Sequence, residues 1–267
     1  MNIAVFGFSG FIGSHIIKLF SQSHNLIKIN TRDINYKLSE NEIFNYFDKN
    51  LIKPDVIINC CASINPKSKN DIFINENLSK IIQKYVIKKG LNIHFYHFST
   101  INVLINDRLD RYTLSKINAE KDLVNNFTSI IRLPLILNFE HGKKGDLDIF
   151  YKYLNLKVIP IFPMIYPGNI YRPIEVQKLC KFLLETVNNQ EKLSIYNLMG
   201  KEKKNLWELY ESVANIHSRK VLKINTLFLN KVLPNIIKKN IFKKNSFLGQ
   251  FLSIDQSIIN EKNITYL

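Results

Sequence analysis

The opening thirteen residues constrain what this chain can fold into more than any other stretch. An apolar run of strand length, Asn2–Phe6, stops at Gly7, and Gly10 and Gly13 follow at three-residue steps. An apolar helical pattern begins at Ile12. This order predicts a strand, a tight turn and a helix.

Each glycine of this turn has its own physical use. Gly7 permits the turn out of the strand, Gly10 lets the backbone approach a pyrophosphate, and Gly13 lets the helix pack closely on the sheet. The helix N-terminus presents unpaired N–H groups and a partial positive charge to the phosphates. A glycine-rich turn with no ligand is the alternative, because a glycine triplet alone is a weak signal.

Composition sets the limits. The chain has 267 residues, of which 46% are hydrophobic, so it can bury a sizeable core. No apolar run approaches the roughly 18 residues that cross a bilayer, and no basic region precedes an apolar N-terminal core. Cys60, Cys61 and Cys180 form no pairing pattern and are expected to be reduced, buried and inert. We expect a cytoplasmic protein without a metal site.

The formal net charge of +15 raises the question of an anionic partner. A basic protein can bind nucleic acid, an anionic membrane or phosphorylated metabolites. The lysines are scattered among many Ile and Asn residues, as the composition of an AT-rich genome would impose. We therefore expect no specific nucleic-acid partner, with an RNA-binding module as the alternative.

The end of the second predicted strand, Asn25–Thr31, bears on cofactor choice. In dinucleotide folds a carboxylate here accepts from a ribose 2′-hydroxyl, whereas an arginine suits a 2′-phosphate. Asn30 and Thr31 close the strand, and Arg32 and Asp33 follow. The pattern favours NADP, and Asp33 keeps NAD open.

The third strand, Val56–Ala62, is continuously apolar, as a strand covered on both faces should be. It ends in small residues, which suits a backbone that passes close to a cofactor. Ser63 and Asn65 are expected at the mouth of the site. A long helix is predicted over Asp71–Lys89, and Asn75 lies in its first turns either at the cofactor or as a solvated helix-start residue.

Tyr112 and Lys116 carry the chemical argument. They lie four residues apart on a helix predicted to begin near Asp110, so they share one face. An ammonium near a phenol lowers the phenol's pKa from about 10, which suits proton transfer near neutrality. The same spacing recurs at Tyr85/Lys89 and Tyr153/Lys157. Of the three pairs, only Tyr112/Lys116 follows closely on a strand, Asn92–Phe98, that runs into Ser99-Thr100.

These motifs, in this order, resemble the short-chain dehydrogenase/reductase superfamily in its extended, epimerase/dehydratase branch. The likeness covers the first half strongly, with the groups of dTDP-4-dehydrorhamnose reductases and UDP-sugar 4-epimerases most similar. It implies a Rossmann-type, doubly wound parallel α/β sheet with a smaller C-terminal substrate lobe. It also implies Tyr112 as acid/base, Lys116 as its partner, and Thr100, with Ser99 as fallback, as the hydroxyl that orients the substrate oxygen.

The resemblance implies two further sets of residues. Cofactor contacts fall on the glycine turn, the ends of the first strands and the catalytic helix: Gly7, Ser9, Gly10, Phe11, Ile12, Gly13, Asn30, Thr31, Arg32, Cys61, Ala62, Asn75, Ser99, Tyr112, Lys116 and Leu133. Substrate contacts fall on the exit loops of later strands: Ser63, Asn65, Thr100, Asn138 and Arg172.

Two departures from the family narrow the reaction. Ile101 and Asn102 stand where the family's dehydratases carry an Asp and a Glu, so dehydration is not expected. Only about a dozen residues separate Thr100 from Tyr112, which is shorter than the family's substrate-covering loop. The sugar pocket is therefore expected to be more open, or covered from elsewhere.

The second half continues the alternation more loosely. We expect residues 1–137 to form the dinucleotide-binding domain, with 170–200 returning to it, and 138–267 to form mainly the substrate lobe. The predicted elements are a strand at Thr128–Leu133, a loop at Glu140–Gly145, a helix to Asn155, a strand at Val158–Phe162, a loop at Pro163–Pro173, a helix to Asn188, a strand at Ser194–Leu198 and a helix at Asn205–His217.

Two features of this half bear on partners. Arg172 precedes Pro173 in a partial match to a family motif whose arginine contacts the nucleotide-sugar pyrophosphate. From Leu227 to Leu248, apolar residues alternate with lysines as in a basic amphipathic helix. Such a helix packs on the substrate lobe or makes a weak contact with an anionic membrane surface.

The resulting hypothesis is hydride transfer between a nicotinamide and a nucleotide-linked sugar, with 4-keto reduction by NADPH favoured. An NAD-dependent 4-epimerase is the alternative within this class, and a dinucleotide sensor or RNA-binding module the alternative outside it. A homodimer is possible on the family's pattern.

Overall fold

A seven-stranded parallel sheet organises the chain, which the computed structural model describes at residues 1–90, 92–106, 110–123, 127–138, 161–166, 168–191, 194–216, 218, 220–225 and 256–267. Its strands are β1 (Asn2–Phe6), β2 (Asn25–Ile29), β3 (Val56–Asn59), β4 (His94–Thr100), β5 (Thr128–Leu133), β10 (Ile195–Met199) and β13 (Ile264–Tyr266). The expected doubly wound parallel sheet is confirmed.

The strand order is β13-β10-β5-β4-β3-β1-β2, and every neighbouring pair is parallel. Strand β1 lies between β2 and β3, so the chain winds outwards to β2 and then crosses back to the other side of β1. Such a reversal opens a crevice at the carboxyl ends of the strands, where open α/β sheets bind ligands.

Helices cover both faces of this sheet. The helices of the described residues are α1 (Phe11–Phe20), α2 (Glu40–Asn50), α3 (Lys69–Ile72), α4 (Leu78–Lys88), α5 (Arg111–Glu120), α6 (Val176–Asn188) and α7 (Leu206–Ile216), and α1, α2, α4, α5 and α6 provide this cover. Apolar side chains of α2, α4 and α5 share one core with one face of the sheet, and those of α1 and α6 share another core with the opposite face. Helices α1 and α6 also pack against each other.

Within the described residues, three two-stranded sheets lie outside the main sheet. They pair β6 (Ile136–Leu137) with β9 (Ile174–Glu175), β7 (Ile161–Tyr166) with β12 (Lys220–Asn225), and β8 (Ile170–Tyr171) with β11 (Lys204–Asn205). A separate core gathers Leu137 and Tyr171 with the apolar face of α7. The division into two lobes at residue 137 stays a prediction, although β10 lies in the main sheet as the return of residues 170–200 requires.

Several boundaries differ from the expected ones. The helix expected over Asp71–Lys89 is broken by a π-helical segment, Phe73–Asn77, between α3 and α4. The loop expected at Pro163–Pro173 is wrong, because β7 and β8 occupy most of it. Pro163 is tolerated because β7 belongs to a two-stranded sheet and need not donate on both sides.

Other expectations concern the tail and the middle of the chain. The strands β12 and β13 were missed, since each pairs with a strand that is far away in sequence. The loop at Glu140–Gly145, the helix to Asn155, Tyr153/Lys157 and the amphipathic stretch from Leu227 to Leu248 lie outside the described residues.

Candidate functional site

The turn after β1 needs its glycines for steric reasons. Gly7 has φ +78°, a left-handed conformation that L side chains rarely adopt, and its carbonyl accepts from Gly10 N at 2.9 Å. A Cβ on Gly13 would lie 2.1 Å from Gly7 O. The first turn of α1 therefore sits directly on the backbone of the β1 exit.

The N-terminus of α1 is open to a ligand. Gly10 is the N-cap, and no side chain caps the helix there. Ser9 and Gly10 are exposed, and Phe11 and Ile12 are half-buried. Uncapped first-turn N–H groups and the helix dipole both favour an anion. The residues present thus fit the diphosphate of a dinucleotide.

Arg32 and Asp33 are the two charged residues directly after β2, and they differ in whether the side chain already has a partner. Asn30 Nδ2 donates to Asp33 Oδ2 at 2.9 Å, and Asn30 Oδ1 accepts from Arg32 N at 3.2 Å. Arg32 is exposed, and its guanidinium makes no ion pair with any described residue. The arginine is therefore available to an anion at the end of β2, whereas the carboxylate of Asp33 already has a partner.

The exit of β3 runs beside the glycine turn. A Cβ on Gly7 would come within 3.0 Å of Cys61 N, and Cys61 Sγ lies 3.9 Å from Thr31 Oγ1. Cys61 is buried, while Ala62 and Asn65 are exposed. The structure thus brings the exits of β1, β2 and β3 together at one edge of the sheet.

Asn75 fastens the loop after β3 to the helix α5. Its Oδ1 accepts from Ser63 N at 2.7 Å, and its Nδ2 donates to Ser63 O at 2.9 Å and to Ser115 Oγ at 3.2 Å. The side chain is fully buried, so the reading as a solvated helix-start residue is wrong. Asn75 lies in the π-helical segment, a distortion that recurs at functional sites.

Helix α5 begins at a well-made cap. Asp110 is the N-cap, and its carboxylate accepts from Thr113 N at 3.0 Å and from Thr113 Oγ1 at 2.8 Å. Tyr112 is half-buried in the first turn, and Lys116 follows one turn later with 1% of its surface exposed. The cap fixes where the helix starts and hence which face carries both residues.

The ammonium of Lys116 is held at the end of β4. Its Nζ donates to Phe98 O at 2.9 Å. Burial lowers the pKa of Lys116 to about 8, because the charged form is desolvated; Cys61, Glu120 and Cys60 act in the opposite direction. A lysine that titrates so near neutrality is typical of functional sites.

The two hydroxyls at the end of β4 are placed differently. Thr100 Oγ1 accepts from Asn102 N at 3.3 Å, which leaves the hydroxyl proton for another acceptor. Ser99 Oγ is buried and has no hydrogen-bond partner among the described residues. Leu133, the last residue of β5, pairs with Thr100 in the sheet and is buried.

Three polar residues on strands β3, β4 and β5, two of them fully buried and one partly buried, had no role predicted from the sequence. They are Asn59, His97 and Arg132, and Arg132 forms an ion pair with Glu120 at 2.6 Å. A signal was available: each directly follows two apolar or aromatic residues within its strand. Polar residues at such positions are hydrogen-bonded as a rule, and here they lie beneath the helix that carries Tyr112.

Two of the expected substrate residues directly follow the strands β6 and β8. Asn138 is buried directly after β6. Arg172 follows β8, and its guanidinium donates to Lys201 O at 3.0 Å and to Glu261 Oε1 at 2.7 Å. The guanidinium carbon also lies 5.0 Å from the ring centroid of Tyr266. These contacts join Arg172 to the C-terminal strand rather than to Tyr112 and Lys116.

Other kinds of site find no support in the described ranges. Within them no group of three or more His, Cys, Asp or Glu residues is placed to hold a metal ion. No helix in the same ranges is long and apolar enough to span a bilayer. The three cysteines are free thiols, and burial raises the pKa of Cys61 to about 11 and that of Cys180 to about 12.

Comparison with known proteins establishes the fold. No family model matches the sequence, and neither does any curated protein. A hypothetical dTDP-4-dehydrorhamnose reductase from Sulfolobus tokodaii is 24% identical, with a TM-score of 0.65 over 84% of this chain and 86% of that one.

Two further solved structures share the fold. A dTDP-4-dehydrorhamnose reductase from Bacillus anthracis in complex with NADP is 15% identical, with a TM-score of 0.68 over 85% of this chain and 84% of that one. A UDP-glucose 4-epimerase from Thermotoga maritima is 18% identical, with a TM-score of 0.64 over 85% of each chain.

Proposed function

We propose that this chain is an NAD(P)-dependent enzyme of the extended short-chain dehydrogenase/reductase type that reduces a keto carbon, most simply C4, of a nucleotide-linked sugar. One observation carries the proposal: a buried lysine with a pKa near 8 lies one helical turn after a half-buried tyrosine, at the carboxyl end of the sheet. The solved structures that share this fold include reductases and epimerases of nucleotide sugars.

The roles follow from the chemistry of each side chain. A bound nicotinamide would supply the hydride. Tyr112 would deliver the proton to the substrate oxygen, and the ammonium of Lys116 would stabilise the phenolate that remains. Thr100 would donate a hydrogen bond to the same oxygen, since its own oxygen already accepts from Asn102 N. Ile101 and Asn102 offer no acid or base for dehydration.

The dinucleotide would lie across the exits of β1, β2 and β3. The uncapped N-terminus of α1 suits its diphosphate, and the exposed Arg32 suits a ribose 2′-phosphate. The carboxylate of Asp33 is hydrogen-bonded to Asn30, which weakens the case for NAD. NADP is therefore favoured, as in the Bacillus anthracis structure.

Arg172 has no part in this proposal. Its guanidinium is committed to Lys201 O and Glu261, and only 11% of its side chain is exposed. The candidate substrate contacts that remain are Ser63, Asn65 and Asn138. Ser63 and Asn65 lie on the loop after β3, and Asn138 lies directly after β6.

The test compares two tyrosines that are each four residues before a lysine. NADPH oxidation is followed with a 4-keto nucleotide sugar for the wild type, Tyr112→Phe and Tyr85→Phe. We expect Tyr112→Phe to lower kcat by roughly 100- to 10,000-fold, the usual contribution of a general acid. Tyr85 donates to Asp48 Oδ1 at 2.8 Å, so Tyr85→Phe changes a structural contact only. A Tyr112→Phe enzyme with full activity would contradict the proposal.

The alternative within the same class is a 4-epimerase, which returns the hydride to the other face of the sugar. It differs in how it holds the cofactor. A protein that purifies with tightly retained NAD and interconverts two nucleotide sugars without net oxidation would favour the epimerase. A protein that purifies empty and titrates with NADPH would favour the reductase.

A further inference from the structure

The loop between Thr100 and helix α5 belongs to a small core of its own. The buried members of this core are Ile101, Ile105, Met199 and Ile259. Ile101 and Ile105 come from the loop, Met199 ends β10, and Ile259 lies close to the C-terminus. Each of them is at most 7% exposed. Segments that are far apart in the sequence therefore bury the two isoleucines of the loop.

Local hydrogen bonds order the loop itself. Ile101–Leu104 form a short 3-10 helix whose N-cap is Thr100, and Thr100 Oγ1 accepts from Asn102 N at 3.3 Å. Ile105 N donates to Asn102 O at 3.1 Å. A 3-10 helix has poorer hydrogen-bond geometry than an α-helix and is short for that reason. Since this one also packs against α5, its place in the fold depends on tertiary contacts.

The stretch that contains Ile259 is fastened to Arg172. This stretch, residues 256–267, is called the strap below. Gln256 is buried, and its Oε1 accepts from Arg172 N at 2.9 Å. The guanidinium of Arg172 donates to Glu261 Oε1 at 2.7 Å and lies 5.0 Å from the ring centroid of Tyr266. Arg172 thus contacts the strap on both sides of Ile259.

The end of the strap is also part of the main sheet. Strand β13 pairs with β10, and Tyr266 lies opposite Met199. Leu267 N donates to Met199 O at 2.9 Å, and Leu267 O accepts from Lys201 N at 3.3 Å. The half-buried Ile264 and Tyr266 pack against the same small core as Ile259. The strap is therefore anchored to a rigid element while it contributes to the core of the loop.

We propose that the strap holds the loop that carries Thr100, with Ile259 as the positioning residue. The inference rests on the proposed function, in which the hydroxyl of Thr100 and the phenol of Tyr112 reach the same substrate oxygen. Such convergence needs β4 and α5 to keep a fixed relative position, because small displacements of reacting groups are costly in rate. The loop between them is short, and the strap supplies apolar surface that the loop lacks.

The first experiment measures the order of the loop without catalysis. Amide hydrogen exchange of Ile105 is followed by NMR in the absence of denaturant, where exchange reports local opening. Ile259→Ala removes the buried side chain from the small core, and we expect the Ile105 amide to exchange roughly 10-fold faster or more. Ile259→Val removes one methyl group, and we expect an increase of roughly two- to tenfold, which is readable even if the alanine variant does not fold.

The matched control is Leu183→Ala. Leu183 is fully buried on α6, in the core that contains α1, and its truncation removes as many carbon atoms as that of Ile259. We expect Ile105 exchange in Leu183→Ala to equal that of the wild type. Unchanged exchange in both Ile259 variants, or an equal increase in Leu183→Ala, would overturn the proposal.

Catalysis provides the second readout. If the proposed reduction is observed, Ile259→Ala should lower kcat about 10-fold and leave the Kd of NADPH unchanged, because the strap acts on Thr100 and not on the dinucleotide site. Faster Ile105 exchange with an unchanged kcat would contradict the positioning role. If the wild type has no reductase activity, the proposed function fails, and the exchange measurement still decides whether the strap holds the loop.

Discussion

Glu120 and Arg132 join the helix that carries Tyr112 and Lys116 to the neighbouring strand β5. Arg132 Nη2 donates to Glu120 Oε2 at 2.6 Å and Nε donates to the same carboxylate at 3.1 Å, so the contact is forked. The side chain of Arg132 is 15% exposed and that of Glu120 is 9% exposed. Arg132 also donates to Asn197 Oδ1 on β10 at 3.2 Å. One arginine thereby links α5 to two strands of the sheet.

We expect Glu120→Gln to destabilise the protein by about 3 kcal/mol, because it leaves the charge of Arg132 buried without its partner. The matched control is Asp122→Asn, which breaks the pair between Lys80 and the 64% exposed Asp122. An exposed pair of this kind contributes about 0.5 kcal/mol. Urea unfolding measures both, and equal losses would mean that the Glu120 pair is not structurally important.

The buried Lys116 predicts a pH-dependent stability. Its pKa is about 8 in the folded protein and about 10.4 when unfolded. Between these values the unfolded chain binds more protons, so this group adds stability as the pH rises from 8 to about 10.4. Below pH 8 the burial of the ammonium opposes folding in full.

The corresponding variant is Lys116→Met, which keeps the length of the side chain and removes the charge. We expect it to be more stable than the wild type at pH 7 by up to about 3 kcal/mol, and this gain to shrink towards zero by pH 10. Denaturant unfolding at the two pH values checks it. A gain that does not change with pH would show that packing, not charge, is responsible.

Gly13→Ala tests the contact between α1 and the turn after β1. The added Cβ would lie 2.1 Å from Gly7 O and 2.9 Å from Phe8 Cα, so backbone must move. We expect a loss of about 1–3 kcal/mol in stability together with a loss of dinucleotide binding.

Gly90→Ala is the control for this variant. Gly90 follows α4 with φ +59°, and a Cβ there meets nothing within 4 Å. It should lower stability by about 1 kcal/mol through backbone strain alone. Dinucleotide binding, measured by calorimetry, should be lost in Gly13→Ala and kept in Gly90→Ala. Intact binding in Gly13→Ala would show that the turn after β1 tolerates displacement.

Arg32→Ala tests the preference for NADP. If the guanidinium binds the 2′-phosphate, its loss should weaken NADPH binding roughly 10- to 100-fold and leave NADH binding unchanged. Lys37→Ala removes an exposed positive charge from the same segment and should have little effect. Fluorescence titration with both dinucleotides measures the ratio. Equal weakening for NADH and NADPH would place Arg32 away from the 2′-phosphate.

The sequence by itself determined the features that depend on neighbours along the chain. The glycine spacing fixed the turn between β1 and α1, and the four-residue spacing placed Tyr112 and Lys116 on one helical face, because local geometry follows from a few adjacent residues. The alternation of apolar runs and helical patterns was enough to predict the parallel sheet.

Only the tertiary structure decided what depends on contacts between distant segments. Burial lowers the pKa of Lys116. Asn75 is hydrogen-bonded to Ser63 and Ser115. Arg172 contacts Glu261 and Tyr266 near the C-terminus. Desolvation and hydrogen bonding depend on which distant segments come together in space. The local sequence around each of these residues therefore could not predict its burial or its hydrogen-bond partners.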